Sequence, residues 1–210
     1  FSIVISCFLW SCTKSSKNET ETGTNSSEET TASLITCEGI GEVKITMNEA
    51  TMIEKFGKEN VKRDSLYEEE GFAGFATILW QNTPKEVWVM WQDENFQKIR
   101  TLEVRRNDSI YRTSQGVRVG NSLNEVVAAN GGIHIEFSGL GWDFGGWTQN
   151  FSNGTIGKEL PCLSLQLDFS GNTEGMDISS ISGDVGVKSD NPVLQQIPLK
   201  VVTLTISQKS

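Results

Sequence analysis

The chain has 210 residues, 37% of them hydrophobic and 21% charged, which suits one folded domain with tails or two small repeats and excludes a long multidomain enzyme. Acidic residues outnumber basic ones by 27 to 18, and the net charge of −9 repels nucleic acid and anionic lipid headgroups. We therefore expect no nucleic-acid partner. The single histidine, His134, excludes a multi-histidine metal site and leaves one imidazole to activate any nucleophile.

The first residues are typical of an export signal. Residues 1–11 form an uncharged, mostly apolar run that is shorter than the ~20 residues of a membrane-spanning helix. Because no positively charged region precedes this run, we expect the true N-terminus to lie upstream of Phe1. Leu9, Ser11 and Cys12 resemble a bacterial lipobox, although Trp10 is larger than the residue usual there. This pattern predicts lipidation of Cys12, and the alternative is a buried cysteine in a hydrophobic helix.

A polar segment follows the predicted lipidation site. Residues 13–33 are almost all Ser, Thr, Asn, Glu, Gly and Lys, so they cannot bury enough apolar surface to offset the entropy of ordering them. We assign residues 12–35 to the lipidation site and a flexible tether, and residues 36–210 to a globular domain. An export segment, a cysteine, a tether and a domain in this order are typical of a lipoprotein held to a membrane by acyl chains.

The cysteine count favours an oxidising compartment. Of the four cysteines, Cys7 falls in the signal segment and Cys12 at the lipidation position, which leaves Cys37 and Cys162 in the domain. An even pair in an exported protein predicts one disulfide, and the alternative is two unrelated thiols.

Two short helices are predicted from similar signals. Thr46 and Glu49 have the spacing of a capping box, and Gly57 predicts the helix end. Three residues form the apolar stripe of this helix: Ala50, Ile53 and Phe56. In the second helix Ser122 and Glu125 have the same spacing, and Gly131 ends it. Its apolar face consists of Leu123, Val126 and Val127.

The flanks of the two helices are also alike. Residues 43–45 and 117–119 alternate as short strands directly before each helix. This similarity predicts a tandem repeat over about residues 40–110 and 114–210, with few residues identical between the two halves.

Strands dominate the rest of the chain. After the first helix, alternation predicts strands over residues 75–81, 86–92 and 98–105, the first two joined by a Pro-containing turn. After the second helix, strands are predicted over residues 133–138, 163–169, 181–187 and 199–207. Because strands outnumber helices and follow each other directly, we predict an α+β fold with an antiparallel sheet and short capped helices packed on it.

The order of strand, capped helix, glycine and antiparallel strands, over residues 43–57 and 116–131 with the strands behind them, resembles a group of bacterial proteins. The group contains the small lipoprotein subunit of the outer-membrane barrel-assembly machine and the β-lactamase-inhibitor proteins. Its members pack a helical pair on an antiparallel sheet, whereas this chain shows one convincing helix per unit. The resemblance implies binding through the sheet face or the helix edges, without catalysis.

The segment 139–147 is the most unusual in composition, with four glycines around three aromatic residues. Such a segment predicts a loop or bulged hairpin that presents aromatic rings to a protein partner or to sugar rings, with Asp143 as an orienting acceptor. The alternative is a glycine-kinked strand pair whose tryptophans fill the core. The candidate binding residues are Trp142, Asp143, Phe144 and Trp147, together with Trp88 on a predicted strand, where alternation separates it from Trp91.

Catalysis is not expected. His134 alternates with apolar neighbours and shares a strand face with Glu136, which indicates an exposed strand histidine. No nucleophile elbow, phosphate loop or dinucleotide fingerprint occurs, so we predict no catalytic residues, no bound metal and no cofactor.

These patterns favour a non-enzymatic lipoprotein of the bacterial cell envelope. We expect a lipid anchor on the membrane, in the outer membrane facing the periplasm or the cell surface, and a domain that binds an envelope protein. The alternative is a carbohydrate-binding lipoprotein that uses Trp142 and Trp147 as stacking platforms.

Overall fold

A computed structural model describes residues 32–68 and 71–208. The predicted signal segment, Cys12 and most of the predicted tether lie outside these residues. The strands are β1 (Ile35–Thr36), β2 (Gly39–Ile40), β3 (Val43–Lys44), β4 (Val61–Glu68), β5 (Gly71–Leu79), β6 (Val87–Trp91), β7 (Ile99–Val104), β8 (Glu136–Ser138), β9 (Thr148–Asn150), β10 (Leu163–Phe169), β11 (Gly186–Lys188) and β12 (Leu199–Ser207). The α-helices are α1 (Glu49–Phe56), α2 (Leu123–Ala129) and α3 (Thr155–Glu159).

The strands form three antiparallel sheets. The main sheet has six strands in the order β10-β12-β7-β6-β5-β4, and two three-stranded sheets have the orders β1-β2-β3 and β11-β8-β9. Together with the short helices, this arrangement confirms the predicted α+β fold. None of the helices in the described part of the chain is long and apolar enough to span a bilayer.

The hydrophobic core lies on one face of the main sheet, which we call the core face. Val89, Leu102 and Ile206 pair across β6, β7 and β12, and all three are fully buried. The core also takes Met52 from α1 and Val126 from α2. Side chains of the two small sheets pack into the same cluster and include Ile40, Val43, Phe137 and Val187.

Helix α1 begins differently from the predicted capping box. Its N-cap is Asn48, whose side-chain oxygen accepts a hydrogen bond from the Thr51 amide at 2.9 Å. Glu49 does not reach back to Thr46, because its carboxylate pairs with Arg63 across the helix–sheet interface. The apolar stripe is also corrected, since Met52 is the buried apolar residue and Ala50 is exposed. Gly57 ends the helix at φ 85°, as expected.

Helix α2 follows the prediction closely. Ser122 accepts from the Glu125 amide and Glu125 accepts from the Ser122 amide, so the capping box is complete. Leu123 and Val126 are buried.

The predicted strand at residues 117–119 is wrong. Val117 and Val119 are buried, but the backbone there forms turns, with the Thr113 amide donating to the Val117 carbonyl.

Three strand predictions need correction. Strand β4 was not predicted, because three consecutive charged residues, Lys62 to Asp64, conceal the alternation of an edge strand. The strand predicted over 133–138 is limited to β8, so His134 precedes it, and the strand predicted over 181–187 is β11.

The tandem repeat is not shown: α1 is followed by the four-stranded meander β4 to β7, whereas α2 is followed by β8 and β9 of a separate sheet.

Candidate functional site

The glycine-rich segment 139–147, which we call the aromatic loop, connects β8 to β9. Gly146 has φ +76°, and a Cβ there would lie 1.9 Å from the Leu167 carbonyl oxygen, so only glycine fits. Ser138 holds both sides of the loop: its hydroxyl donates to the Phe144 carbonyl at 3.0 Å and accepts from the Trp147 amide at 3.1 Å. These contacts give the loop one hydrogen-bonded conformation.

A neighbouring segment supports the base of the loop. Leu140 is buried, and its amide donates to the Ile181 carbonyl at 2.7 Å. The Gly139 amide likewise donates to the Val185 carbonyl at 2.7 Å, and Val185 is 41% exposed. The start of the loop is therefore anchored by an apolar side chain and by two backbone hydrogen bonds.

Two aromatic rings project from this base. Trp142 is 40% exposed and Phe144 is 55% exposed, and their ring centroids lie 5.6 Å apart at 72°, an edge-to-face pair. The indole nitrogen of Trp142 donates to the Gly139 carbonyl at 2.9 Å, which fixes the ring and leaves its apolar surface available. Among the described residues, these are the two aromatic side chains with large exposure.

The loop lies in an acidic part of the chain. Asp143, between the two rings, is exposed. Residues 139–191 contain seven acidic side chains and two basic ones. Asp143 therefore adds a negative charge next to the two apolar rings.

The structure does not place Trp147 beside Trp142. Trp147 is half-buried and forms an antiparallel bridge with Gln166 of β10, so it belongs to the edge of the main sheet. Of the two predicted platforms, Trp142 pairs with Phe144, and Trp147 lies against β10.

Trp88 lies in the main sheet on the side opposite the core face. Its indole nitrogen donates to Glu86 at 2.9 Å, and the Arg105 guanidinium lies 4.4 Å from its ring centroid. Trp88 is half-buried, whereas Trp91 is in the core at 2% exposure, so alternation separated the two as predicted.

His134 is half-exposed and lies 3.9 Å from the Glu136 carboxylate, which Lys188 also approaches at 3.5 Å. Within the described ranges no group of three histidine, cysteine or acidic side chains is arranged to hold a metal ion.

Cys37 and Cys162 form a disulfide with Cα atoms 5.5 Å apart. It joins the turn after β1 to the start of β10. This is the pair that the cysteine count left in the domain.

No protein-family model, curated protein or solved structure matches the chain. The resemblance to the barrel-assembly lipoprotein and inhibitor group therefore stays a prediction from the sequence pattern.

Proposed function

We propose that this protein is a non-catalytic binding lipoprotein of the bacterial cell envelope, tethered through Cys12, whose aromatic loop binds a partner protein. Three features support the location in the cell envelope: the apolar run before Cys12, the polar tether after it, and the disulfide between Cys37 and Cys162. The observation that carries the binding role is the exposed ring pair of Trp142 and Phe144 on a hydrogen-bonded loop.

The chemistry of the loop favours a protein partner. Aromatic side chains with few rotatable bonds, held in one conformation, lose little entropy when a partner buries them. Asp143 and the acidic composition of residues 139–191 favour a partner whose apolar pocket has a basic rim. The tether keeps the domain near the membrane, which raises the local concentration of envelope partners.

Photo-crosslinking tests the binding role. A benzoylphenylalanine introduced at Phe144 in the full chain, expressed in a bacterial envelope, should give a discrete crosslinked species. The same residue at Ile110, which is 39% exposed, is the matched control. We expect Trp142→Ser to abolish the Phe144 crosslink. A Phe144 crosslink that survives Trp142→Ser, or an identical pattern from position 110, contradicts the proposed role of the loop.

Fractionation and intact mass test the tether. We expect the mature chain to begin at Cys12, to carry added acyl mass and to sediment with membranes. Cys12→Ser should shift the protein to the soluble fraction without acyl mass. A wild-type chain that is neither processed nor lipidated contradicts the proposed lipid anchor and envelope location. The crosslinking experiment on the aromatic loop does not depend on this result.

A further inference from the structure

The two outer edges of the main sheet differ in how they are covered. At one edge, β10 is hydrogen-bonded to the chain that leads from the aromatic loop into β9. The Leu165 amide donates to the Thr148 hydroxyl at 3.0 Å, and the Leu167 amide donates to the Gly146 carbonyl at 2.9 Å. At the other edge, β4 has β5 as its one neighbour among the described strands.

The outer edge of β4 is accessible and regular. The strand has eight residues, and its pairing with β5 is regular up to the register shift between Leu66 and Tyr67. Residues 62–65 are all exposed. An edge strand presents unpaired backbone N–H and C=O groups, so it is a template on which a further strand can pair.

The charges of β4 decide which strand can pair there, because charged side chains on an open edge keep most strands away. Lys62 and Asp64 are two positions apart, so they lie on the same face of the sheet. A second copy of β4, antiparallel and centred on Arg63, places each Lys62 opposite the partner's Asp64. A centre at Lys62 would place two lysines opposite each other, and a centre at Asp64 would oppose two aspartates. The charge pattern is therefore self-complementary in one register.

Arg63 is compatible with a place at the centre of this register. It lies on the core face, where its Nε donates to the Glu49 carboxylate at 2.8 Å. Its guanidinium also lies 3.9 Å from the ring centroid of Phe96. Each central arginine is therefore paired within its own copy, which reduces the repulsion between the two.

We propose that two copies of this protein associate through β4, antiparallel and centred on Arg63, so that their six-stranded sheets form one continuous sheet. The two-fold axis is perpendicular to the sheet, so the core faces of both copies stay on the same side. The aromatic loops lie at the two far ends, because Gln166 of β10 donates to the Gly145 carbonyl at 3.0 Å. The dimer therefore presents two aromatic loops, and it forms whatever those loops bind.

Sedimentation velocity tests the association. One pair of edge strands makes a small interface, so we expect a Kd in the micromolar range. The full chain carrying Cys12→Ser, which excludes association through acyl chains, is measured from about 1 to about 300 µM in about 0.15 M salt, where long-range repulsion is screened. We expect a reversible monomer–dimer equilibrium over this range. A chain that stays monomeric at the highest concentration overturns the proposal.

Lys62→Asp and Asp64→Lys test the register. Each substitution places like charges opposite each other twice across the two-fold axis and should raise the Kd at least about tenfold. The two substitutions together in one chain restore both opposite-charge pairs and should restore the dimer. An equal mixture of the two single variants should form heterodimers, because one edge then supplies two acidic side chains and the other two basic ones. Heterodimer formation also shows that both variants are folded.

Lys158→Asp is the matched control for these substitutions. Lys158 is exposed on α3, which precedes β10 at the other edge of the main sheet, and its substitution changes the net charge as Lys62→Asp does. The control should leave the Kd unchanged. An unchanged Kd in either single variant at the β4 edge, a double variant that stays monomeric, or an equal effect of Lys158→Asp overturns the proposal. None of these outcomes affects the Phe144 crosslink.

Discussion

At the scale of single residues, the carboxylate of Glu49 connects helix α1 to the main sheet. Glu49 is 6% exposed and accepts hydrogen bonds from Arg63 Nε at 2.8 Å and from the Thr77 hydroxyl at 3.2 Å. Thr77 in turn accepts from the indole nitrogen of Trp91 at 2.9 Å. Arg63 also lies 3.9 Å from the ring centroid of Phe96. This chain of contacts runs from an exposed guanidinium into the core.

Glu49→Ala should destabilise the domain by about 1 to 3 kcal/mol, because it leaves Thr77 and Arg63 without their acceptor. Glu49→Gln keeps one acceptor oxygen and should cost less. Urea denaturation followed by tryptophan fluorescence measures the free energy of unfolding. The exposed Glu54 of the same helix is the control, and Glu54→Ala should change stability by no more than about 0.5 kcal/mol. Equal effects at positions 49 and 54 would mean that the buried contacts contribute nothing.

At the scale of elements, the cap of α2 makes stability depend on pH. A hydrogen bond from the Ser122 amide, with a second from its hydroxyl, lowers the pKa of Glu125. The ionised carboxylate is therefore favoured in the folded state. Its contribution is present above the unfolded pKa of about 4.3 and is lost as the pH falls through the lower folded pKa.

Glu125→Gln should cost about 0.3 to 1 kcal/mol at pH 7, as expected for a charge at the start of a helix. The difference from wild type should shrink as the pH falls below about 4. Urea denaturation of both proteins between pH 7 and pH 3 measures this difference. A gap that stays constant over the range would contradict a role for the ionised carboxylate.

The glycines of the aromatic loop offer a second comparison between elements. Gly141 has φ +78° with nothing near its missing Cβ, whereas Gly146 has both a positive φ and the Leu167 carbonyl in the way. Gly141→Ala should therefore cost about 1 to 2 kcal/mol through backbone strain alone. Gly146→Ala should add about 1 to 3 kcal/mol for the clash. Thermal and urea denaturation measure both, and equal costs would show that the loop moves away from β10 freely.

At the scale of the whole molecule, the disulfide ties the first strands of the domain to β10. Cys37 and Cys162 are 125 residues apart, so the closed loop contains most of the domain. Closing such a long loop strongly reduces the conformational entropy of the unfolded chain.

Reduction should lower the free energy of unfolding by about 3 to 5 kcal/mol in the chain-entropy model. Urea denaturation with and without a reductant measures the change. The double variant Cys37→Ser, Cys162→Ser should have the stability of the reduced wild type and should not respond to the reductant. A wild type that is equally stable in both conditions would contradict the assigned role of the disulfide.

The spacing of nearby residues in the sequence was sufficient to predict much of this fold. The α+β class, the long strands β5, β6, β7, β10 and β12, and the capping box at Ser122 depend on the spacing of nearby residues. The same holds for the separation of Trp88 from Trp91, which alternation alone requires. Local spacing gave the wrong result at Thr46, because a distant residue, Arg63, takes the carboxylate that the capping box would need.

The sequence by itself determined the acidic charge, the class of fold, the cysteine pair left for the domain and the unusual composition of segment 139–147. Only the tertiary structure decided which aromatic rings are exposed and which residues share the face of the main sheet opposite the core face. Glu103 and Thr205 are about a hundred positions apart in the chain, and strand register alone places them side by side. Register depends on the packing of the entire core face, so no local pattern could reveal that pair.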